Sequence, residues 1–362
     1  MKLAVISFTS QGILLGEKIK QILIHEEVVC FTKCQGVLPV GQKEPPIYVE
    51  DALGEWTGQV FSAMDGLVFV GAAGIAVRAI APYVKDKLQD PAVVVCDEKE
   101  QFVIPILSGH YGGANELAVR IATGLGAAAV LTTATDVNHK WAVDVFAAKN
   151  QLSIGNREGI AKVSAKLLAG DYITFYSAKE VRGSFPPQVT GISDLSDLSD
   201  SAAPSGQAVD VWVSTQVPRG KNVLLQLCPR AVWIGMGCKK GKTFEEVEAF
   251  FLQTVRNAYI HRTAIAGIAS IGEKREEEAF VRLAEKYELE FRTFSAEQLN
   301  ELPGTFSGSE FVKRQMGVDN VCERAAVLAA GAGAELVEKK QARDGMTIAI
   351  AEADWSVTMD EA

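Results

Sequence analysis

The sequence predicts an α/β protein of several domains, built mostly from parallel sheets flanked by helices. Its 362 residues exceed the length at which one hydrophobic core usually stops growing, and 48% of them are hydrophobic. In the first third, short β-branched runs alternate with helical patterns, which is typical of a parallel sheet covered by helices. A second series of this kind begins at Arg230, after a less regular middle segment. We therefore expect two α/β domains with a small module between them.

The N-terminal α/β domain is expected over residues 1–138. Its strand patterns are, in order, KLAVISF, EEVVCF, GLVFVG, AVVVCD, FVIPIL and AAVLTT. Its helical patterns are ILLGEKIKQILI, AVRAIAPYV and ANELAVRIATGL. The strands AVVVCD and FVIPIL flank the short polar turn 97–100, so they predict an antiparallel hairpin within the otherwise parallel sheet.

The middle module, a small α/β unit, is expected over residues 139–229. YITFYSA and VDVWVS have the composition of strands. Between them lies GISDLSDLSDSAAPSGQ, which has too few large apolar residues to fold by itself. We therefore expect a flexible loop at about 187–208.

The C-terminal α/β domain is expected over residues 230–362. Its strand patterns are AVWIGMG, IAGIASI, EFRTFS and MTIAIAEA, and its helical patterns are TFEEVEAFFLQTVRNAY, EEEAFVRLAEKY and VCERAAVLAA. Thr243 and Glu246 have the spacing of a capping box, which predicts the start of the first of these helices.

Composition and charge disfavour several classes of protein. The net charge is -9 and no basic block is present, which argues against nucleic-acid binding. The six cysteines are scattered without a CxxC pair, so neither a disulfide framework nor a metal site is indicated. The first residues have the pattern of a strand and not of a signal peptide, and no apolar run reaches the roughly 20 residues of a spanning helix. We expect a cytoplasmic protein without a membrane partner.

Glycines 71 and 74 separate a predicted strand from a helix. Backbone N–H groups at such a helix start attract anions, and Arg78, one turn into the helix, could add a charge-assisted contact. The spacing is not that of a dinucleotide fingerprint, and a tight turn explains the glycines equally well. Lys87 follows the helix and is either a ligand contact or a solvated loop charge.

The stretch LSGHYGGANELA, residues 107–118, follows a predicted strand. Its glycines permit close approach of a ligand to the backbone. Asn115 and Glu116 fall in the first turn of the next helix, where capping and the helix dipole explain both. His110 lacks such an explanation, because a turn between glycines offers little apolar packing. Ser108 could face the same side, but a Ser-His neighbourhood without a located acid is not a triad.

Thr133 and Asp136 lie at the end of the next strand pattern, AAVLTT. If this strand lies parallel to and beside FVIPIL, the carboxyl ends of both strands meet at one edge of the sheet. His110 and Asp136 would then lie together at that edge. The competing interpretation is that Thr133 and Asp136 only shape a turn.

The loop GMGCKKGKTFEE of the C-terminal domain does not have the spacing of a nucleotide phosphate loop. Three or five residues, not four, separate its earlier glycines from Gly241-Lys242-Thr243, so ATP or GTP hydrolysis is not expected. What remains is a turn whose lysines can bind carboxylates at a helix start. Cys238 is either a nucleophile in that setting or an incidental loop residue. The candidate contacts of this domain, each also explicable by capping or solvation, are Cys238, Lys239, Lys240, Lys242, Lys274, Ser307, Ser309 and Glu323.

Taken in order, these segments resemble the cobalt-precorrin-5A hydrolase family (CbiG) of anaerobic cobalamin biosynthesis. The resemblance rests on GAAGIAVRAIAPYVKDKLQDPAVVV, on VIPILSGHYGGANELAVRIATGLGAAAVLTTATD, and on the series IGMGCKKGKTFEEV, IASIGEKREE, TFSGSEFV and VCERAAVLAA. It implies a C-terminal domain similar to the stand-alone CobE proteins. It also implies that water opens the δ-lactone of cobalt-precorrin-5A and that acetaldehyde leaves, which gives cobalt-precorrin-5B.

Within that resemblance, His110 is our choice for the base that activates water, since an ordinary imidazole pKa of about 6.5 suits proton transfer near neutrality. Asp136 or Glu116 could orient His110, or could take the hydroxyl proton when the carbon–carbon bond breaks. The expected substrate contacts are the C-terminal set above together with Arg78, Lys87, Ser108, Asn115 and Thr133.

The macrocycle and its cobalt can accept the electrons of that bond, so no cofactor is expected beyond the cobalt that the substrate carries. Cobalt-precorrin-5A is the expected partner, and transient contacts with neighbouring enzymes of the cobalamin pathway stay open. The alternative function is that of a tetrapyrrole-binding scaffold, which shields or hands over corrin intermediates without catalysis.

Overall fold

The computed structural model describes residues 1–35, 44–86, 88–192, 208–220, 222–308 and 317–359. Two predicted contact residues, Lys87 and Ser309, lie outside the described residues, as does most of the predicted loop 187–208. The chain forms two compact units, Met1–Val145 and Phe146–Ala362. Within the described ranges, no helix is both long and apolar enough to cross a membrane.

One sheet of seven strands forms the centre of the first unit. The strands are β1 (Lys2–Ser7), β2 (Glu27–Thr32), β3 (Ile47–Tyr48), β4 (Gly66–Val70), β5 (Ala92–Cys96), β6 (Phe102–Leu107) and β7 (Ala128–Ala129). They lie in the order β3-β2-β1-β4-β5-β6-β7. The helices are α1 (Ser10–Ile22), α2 (Leu53–Phe61), α3 (Ala73–Ile80), α4 (Ala114–Leu125) and α5 (Ala134–Val137), and α6 (Val143–Lys149) begins in this unit and ends in the second.

The chain direction within this sheet reverses at β6. Strand β6 is antiparallel to β5 and parallel to β7, whereas the other neighbouring strands are parallel. This confirms the predicted hairpin. The parallel pairing that the sequence left as a condition is present, but β7 covers only Ala128–Ala129 and the strand pattern AAVLTT does not continue as a strand to Thr133. Leu107, at the end of β6, lies opposite Val93 near the start of β5. The loop after β6 therefore lies at the edge where β4 and β5 begin, and the Gly71 turn lies at the opposite edge.

Apolar side chains from helices cover both faces of the sheet. Leu15 of α1 and Leu117 and Ile121 of α4 are buried in one layer, and Trp56 of α2 and Ile80 of α3 are buried in the other. Full burial of such a side chain stabilises the fold by about 1.5–3 kcal/mol. This packing fixes α4 against the sheet, with its first residue close to the end of β6.

The second unit contains two larger sheets, the first of them within the predicted middle module. Its strands are β8 (Leu152–Ile154), β9 (Ile173–Ser177), β11 (Val189–Ile192), β12 (Ala208–Val213) and β13 (Asn222–Pro229), and α7 (Arg157–Ala169) packs against it. They lie in the order β11-β9-β12-β13-β8. YITFYSA and VDVWVS correspond to β9 and β12, as predicted. Strand β11 was expected to be loop, and its pairing with β9 makes Val189–Ile192 extended.

The second sheet of this unit lies within the predicted C-terminal domain. Its strands are β14 (Val232–Cys238), β15 (Ile265–Ile271), β16 (Glu290–Phe294), β17 (Glu335–Arg343) and β18 (Met346–Glu352), in the order β16-β15-β14-β18-β17. Its helices are α8 (Phe244–Asn257), α9 (Glu278–Tyr287), α10 (Ala296–Glu301) and α11 (Val321–Ala330). A short pair, β10 (Val181–Arg182) with β19 (Val357–Thr358), completes the unit. Strand β17 was not predicted, because it is an edge strand whose charged side chains hide its alternation.

Two local features position the start of α8 and α11. The predicted capping box of α8 is confirmed, since Thr243 Oγ1 accepts from Glu246 N (3.3 Å) and Thr243 N donates to Glu246 Oε2 (3.0 Å). Helix α11 lies so close to β14 that a Cβ on Gly235 would be 1.8 Å from the carbonyl oxygen of Cys322. Only glycine fits there, and the close packing holds the start of α11 beside β14.

Candidate functional site

The loop between β6 and α4 is tightly constrained. Ser108 has a positive φ of 55°, and its carbonyl oxygen accepts a hydrogen bond from Ala114 N (3.1 Å). A Cβ on Gly112 would lie 2.4 Å from Ser108 Cβ, so glycine is required at that position. The sharp turn that results holds His110 at the edge of the sheet where β6 ends.

His110 lies between two carboxylates. Its Nε2 is 2.9 Å from Oδ2 of Asp136, and its Nδ1 is 3.2 Å from Oδ1 of Asp144. The side chains of His110 and Asp144 are each 12% exposed, whereas that of Asp136 is 28% exposed. We call these three residues the histidine–carboxylate cluster. The structure brings His110 and Asp136 together at one edge of the sheet, as their positions after neighbouring strands predict.

The two carboxylates raise the pKa of His110 to about 9. The hydrogen bond with Asp144 is the largest cause, burial opposes it, and the charge of Asp144 and the contact with Asp136 add to the rise. The imidazole is therefore protonated at neutral pH, and both ring N–H groups donate. Because an imidazolium cannot take a proton from water, this geometry does not support the predicted role of His110 as the base.

Asp144 is the residue of the cluster that sequence reasoning missed. Burial by itself would raise its pKa, but the hydrogen bond and charge of His110 and backbone N–H donors outweigh burial and lower it. Asp144 therefore stays ionised and keeps His110 charged. It lies 34 residues after His110, and the available signal was its place in the first turn of a short helix soon after Asp136.

Asn115 and two threonines surround the contact between His110 and Asp136. Asn115 Nδ2 donates to Asp136 Oδ2 (2.7 Å) and to Thr133 Oγ1 (3.1 Å). Thr135 Oγ1 lies 3.1 Å from His110 Nε2 and accepts from the protonated ring. Since Asn115 lies in the first turn of α4, Asp136 is close to the positive end of that helix dipole. Asp136 Oδ2 accepts from His110 and Asn115, and none of the described hydrogen bonds involves Asp136 Oδ1.

Three other predicted residues of this unit do not join the cluster. Glu116 is exposed on α4 and is not among the described partners of His110 or Asp136, because its side chain points away from the buried face of the helix. Arg78 extends back along α3, where its Nη1 would be 3.5 Å from a Cβ on Gly74, at the opposite edge of the sheet. The Ser108 hydroxyl is buried without a hydrogen-bond partner. Within the described ranges, no group of three His, Cys, Asp or Glu side chains is arranged to hold a metal ion.

A cavity of about 680 Å³ in the second unit is lined by four of the predicted contact residues, Cys238, Lys239, Lys240 and Lys274. Burial raises the pKa of the Cys238 thiol even though Lys274 opposes the rise. Cys238 is therefore a neutral thiol and a poor nucleophile at neutral pH. Lys242 does not line this cavity, because it forms an ion pair with Glu246 (2.7 Å) outside it.

Glu323 and Ser307 organise the backbone of the second unit. Glu323 is 1% exposed. Its carboxylate accepts from Ser307 N (2.8 Å), from Ser307 Oγ (2.9 Å) and from Lys340 N (2.7 Å). Burial by itself would raise the pKa of Glu323, but these donors lower it. Burial of Glu323 and its three donors argue against the predicted contact of Glu323 with substrate, whereas Ser307 is exposed and its contact with substrate stays a prediction.

Comparisons with known proteins match most of the chain. Three family models match consecutive segments: Cobalamin synthesis G N-terminal over residues 55–136, Cobalamin biosynthesis central region over 141–229 and Cobalamin synthesis G C-terminus over 232–351. The chain is 31% identical over 340 residues to a cobalt-precorrin-5A hydrolase of Salmonella typhimurium, covering 90% of this chain and 91% of that protein. It is 29% identical to the enzyme of the same name from Priestia megaterium, over 96% of this chain and 94% of that protein.

Solved structures also resemble the chain. A cobalamin biosynthesis protein G homolog from Sulfolobus solfataricus is 25% identical with a TM-score of 0.41, over 98% of this chain and 97% of that one. CobE, a protein from the cobalamin biosynthetic pathway, is 28% identical with a TM-score of 0.33, over 34% of this chain and 92% of that one.

Proposed function

This chain belongs to the cobalt-precorrin-5A hydrolase family (CbiG), and from this premise we propose that it hydrolyses the δ-lactone of cobalt-precorrin-5A in anaerobic cobalamin biosynthesis. Acetaldehyde leaves in the same conversion, which gives cobalt-precorrin-5B. The observation that carries the proposal is the histidine–carboxylate cluster. It offers one partly exposed carboxylate, Asp136, that a buried ion pair holds in place.

Asp136 acts as the general base of lactone opening. Its Oδ1 takes a proton from water while the water oxygen bonds to the lactone carbonyl carbon. The ester C–O bond then breaks, and the departing alkoxide takes the proton back from Asp136. His110 is a positioning residue in this scheme, because its hydrogen bond holds Oδ2 of Asp136 in place.

The alcohol formed in the first step is the substrate of the second. Asp136 takes its hydroxyl proton, the oxygen becomes the carbonyl oxygen of acetaldehyde, and the electron pair of the carbon–carbon bond passes to the conjugated macrocycle. One water is consumed, and no electrons enter or leave the system. The reaction therefore requires no redox cofactor, and the cobalt belongs to the substrate.

The test is an oxygen-free assay of the purified protein with cobalt-precorrin-5A, in which acetaldehyde is measured by its reduction with alcohol dehydrogenase and NADH. We expect acetaldehyde release in proportion to the amount of protein, with strong loss in Asp136→Asn. A protein that binds the macrocycle but releases no acetaldehyde is a tetrapyrrole-binding scaffold, and that result would overturn the proposal.

A further inference from the structure

The cavity of the second unit has an apolar floor. It lies beside the ends of β14 and β15, the hairpin of β17 and β18 and the start of α11. Ile271, Val321 and Met346 line it, and they are 1%, 8% and 5% exposed. The floor is therefore an apolar surface that suits an apolar ligand or the apolar part of a larger one.

Cationic side chains surround this floor. Five of the lining residues are basic and one is acidic, and the basic ones are Lys239, Lys240, Lys274, Lys340 and Arg343. Two of the five are already occupied: Lys274 forms an ion pair with Glu277, and Arg343 donates to Gln253 Oε1 (2.6 Å). The side chains of the other three lysines make no hydrogen bond or ion pair among the described contacts.

The hairpin turn helps to place one of these ammonium groups. Gly345 has a φ of +76°, and a Cβ there would lie 2.9 Å from Cδ of Lys239. The aliphatic part of Lys239 therefore lies across the glycine, and its backbone N–H donates to Gly345 O (2.9 Å). Lys239 is held at the cavity by the turn, whereas Lys242, three residues later, is drawn away by Glu246.

We propose that this cavity binds the carboxylate-bearing edge of a tetrapyrrole macrocycle. The ring edge packs on the apolar floor, and peripheral carboxylates pair with Lys239, Lys240 and Lys340. The choice of a tetrapyrrole as the ligand rests on the proposed function, whereas the cavity and its lysines are described independently of it. The chain carries a net charge of -9, but salt screens distant charges over about 8 Å, so the nearby lysines decide binding.

The arrangement fits several separate carboxylates better than one compact phosphate. The three lysines come from two different segments, the loop after β14 and the strand β17. A phosphate site would concentrate backbone N–H groups or arginine forks on one point. Carboxylates spaced around an apolar ring match dispersed ammonium groups around an apolar floor.

The experiment is a titration of uroporphyrin III, which bears a carboxylate on every peripheral substituent, with the full-length chain, followed by fluorescence anisotropy. We expect Lys239→Glu combined with Lys240→Glu to weaken binding by about tenfold or more. Lys239→Arg combined with Lys240→Arg should bind as the wild type does. The control is Lys242→Glu, which reverses one lysine charge in the same loop but outside the cavity, whereas the double variant reverses two, and it should change the Kd less than about twofold, as expected of a screened distant charge.

Competition distinguishes a macrocycle site from a general anion site. Coproporphyrin III, with methyl groups in place of half of the carboxylate substituents, should bind more weakly, and ATP and citrate should displace uroporphyrin only poorly. Equal competition by ATP, absence of uroporphyrin binding, or an equal loss in the Lys242→Glu control would each overturn the inference. Uroporphyrin binding without acetaldehyde release would contradict the proposed hydrolysis and not this site, whereas acetaldehyde release without uroporphyrin binding would contradict this site alone, so the two failures give different results.

Discussion

His110 Nε2 lies 2.9 Å from Asp136 Oδ2, although 26 residues separate the two along the chain. Strands β6 and β7 are parallel neighbours, and the loops that follow them deliver both side chains to the same edge. Asp144 reaches the other ring nitrogen from α6. The carboxylate of Asp136 is partly exposed, whereas the imidazolium of His110 is mostly buried. Substitution of Asp136 should therefore affect catalysis most, and substitution of the partner of His110 should affect its pKa and the stability.

Asp136→Asn should lower kcat by about a hundredfold or more, because an amide cannot take a proton from water. The matched control is Glu116→Gln, which removes a carboxylate from the exposed side of the adjacent helix and should leave kcat within about twofold, as is usual for a surface substitution. Acetaldehyde release from cobalt-precorrin-5A measures both. Equal losses in the two variants would show that Asp136 has no special role.

Asp144→Asn should lower the pKa of His110 from about 9 towards the ordinary imidazole value, because the hydrogen bond with Asp144 is the largest cause of its rise. The shift is measured by NMR titration of the histidine Cε1–H resonances, with His110→Gln to identify the signal. His25, His139 and His261 serve as internal controls. A His110 signal that titrates alike in wild type and Asp144→Asn would contradict the described ion pair.

The sign of the linked stability follows from the same raised pKa. Protonated His110 stabilises the folded state fully below its ordinary pKa of about 6.5, and this stabilisation is lost as the pH rises through about 9. The difference in unfolding free energy between wild type and Asp144→Asn should therefore be largest at and just below about pH 6.5, and should shrink as the pH rises through about 9. Urea titrations across that range measure it, and a difference that grows above pH 9 would contradict the sign.

The sequence predicts the sheet edge of the site well, because local patterns determine it. The alternation of AVVVCD and FVIPIL marks the hairpin, and the apolar run AAVLTT marks the strand beside it. Placing His110 with Asp136 needed only the rule that parallel neighbours end at one edge. Because β6 runs antiparallel to β5, the edge where β6 ends is opposite the edge that carries Arg78. This separation follows only when the pairings of β5 with β4 and with β6 are both known.

The charge state of His110 could not be predicted in this way. It depends on Asp144, which comes from a helix with no pattern relation to β6, and on how far burial opposes the two carboxylates. Glu323 is a similar case in the second unit, since its partners Ser307 and Lys340 are distant in sequence. Tertiary contacts of this kind determine the charge state and role of an ionisable group, and short sequence motifs do not predict them.

Gly112→Ala should destabilise the first unit by about 1–3 kcal/mol, because the added Cβ would lie 2.4 Å from Ser108 Cβ. Gly113 is the matched control: it has a φ of +82° and nothing within 4 Å of its Cβ position. Gly113→Asn should therefore cost less than 1 kcal/mol, roughly, since asparagine tolerates that backbone region. Urea titration measures both, and an equal cost would mean that the loop relaxes around the new methyl group.

Glu323→Gln should loosen the packing of the 304–308 segment against β17. The carboxylate accepts three hydrogen bonds in a buried position, and an amide in its place offers a donor where acceptors are needed, which costs about 1–3 kcal/mol. The backbone amides of Ser307 and Lys340 should exchange about tenfold faster at neutral pH, as measured by hydrogen–deuterium exchange.

The effect of Glu323 should also depend on pH. Because the folded pKa of Glu323 is lowered, its stabilisation is full above the ordinary pKa of about 4.3 and is lost as the pH falls through the folded value. The difference between wild type and variant should therefore narrow in acid. Glu278→Gln, at a side chain that is 85% exposed, should leave both amides unchanged, and a similar acceleration there would mean that the effect comes from net charge and not from the buried hydrogen bonds.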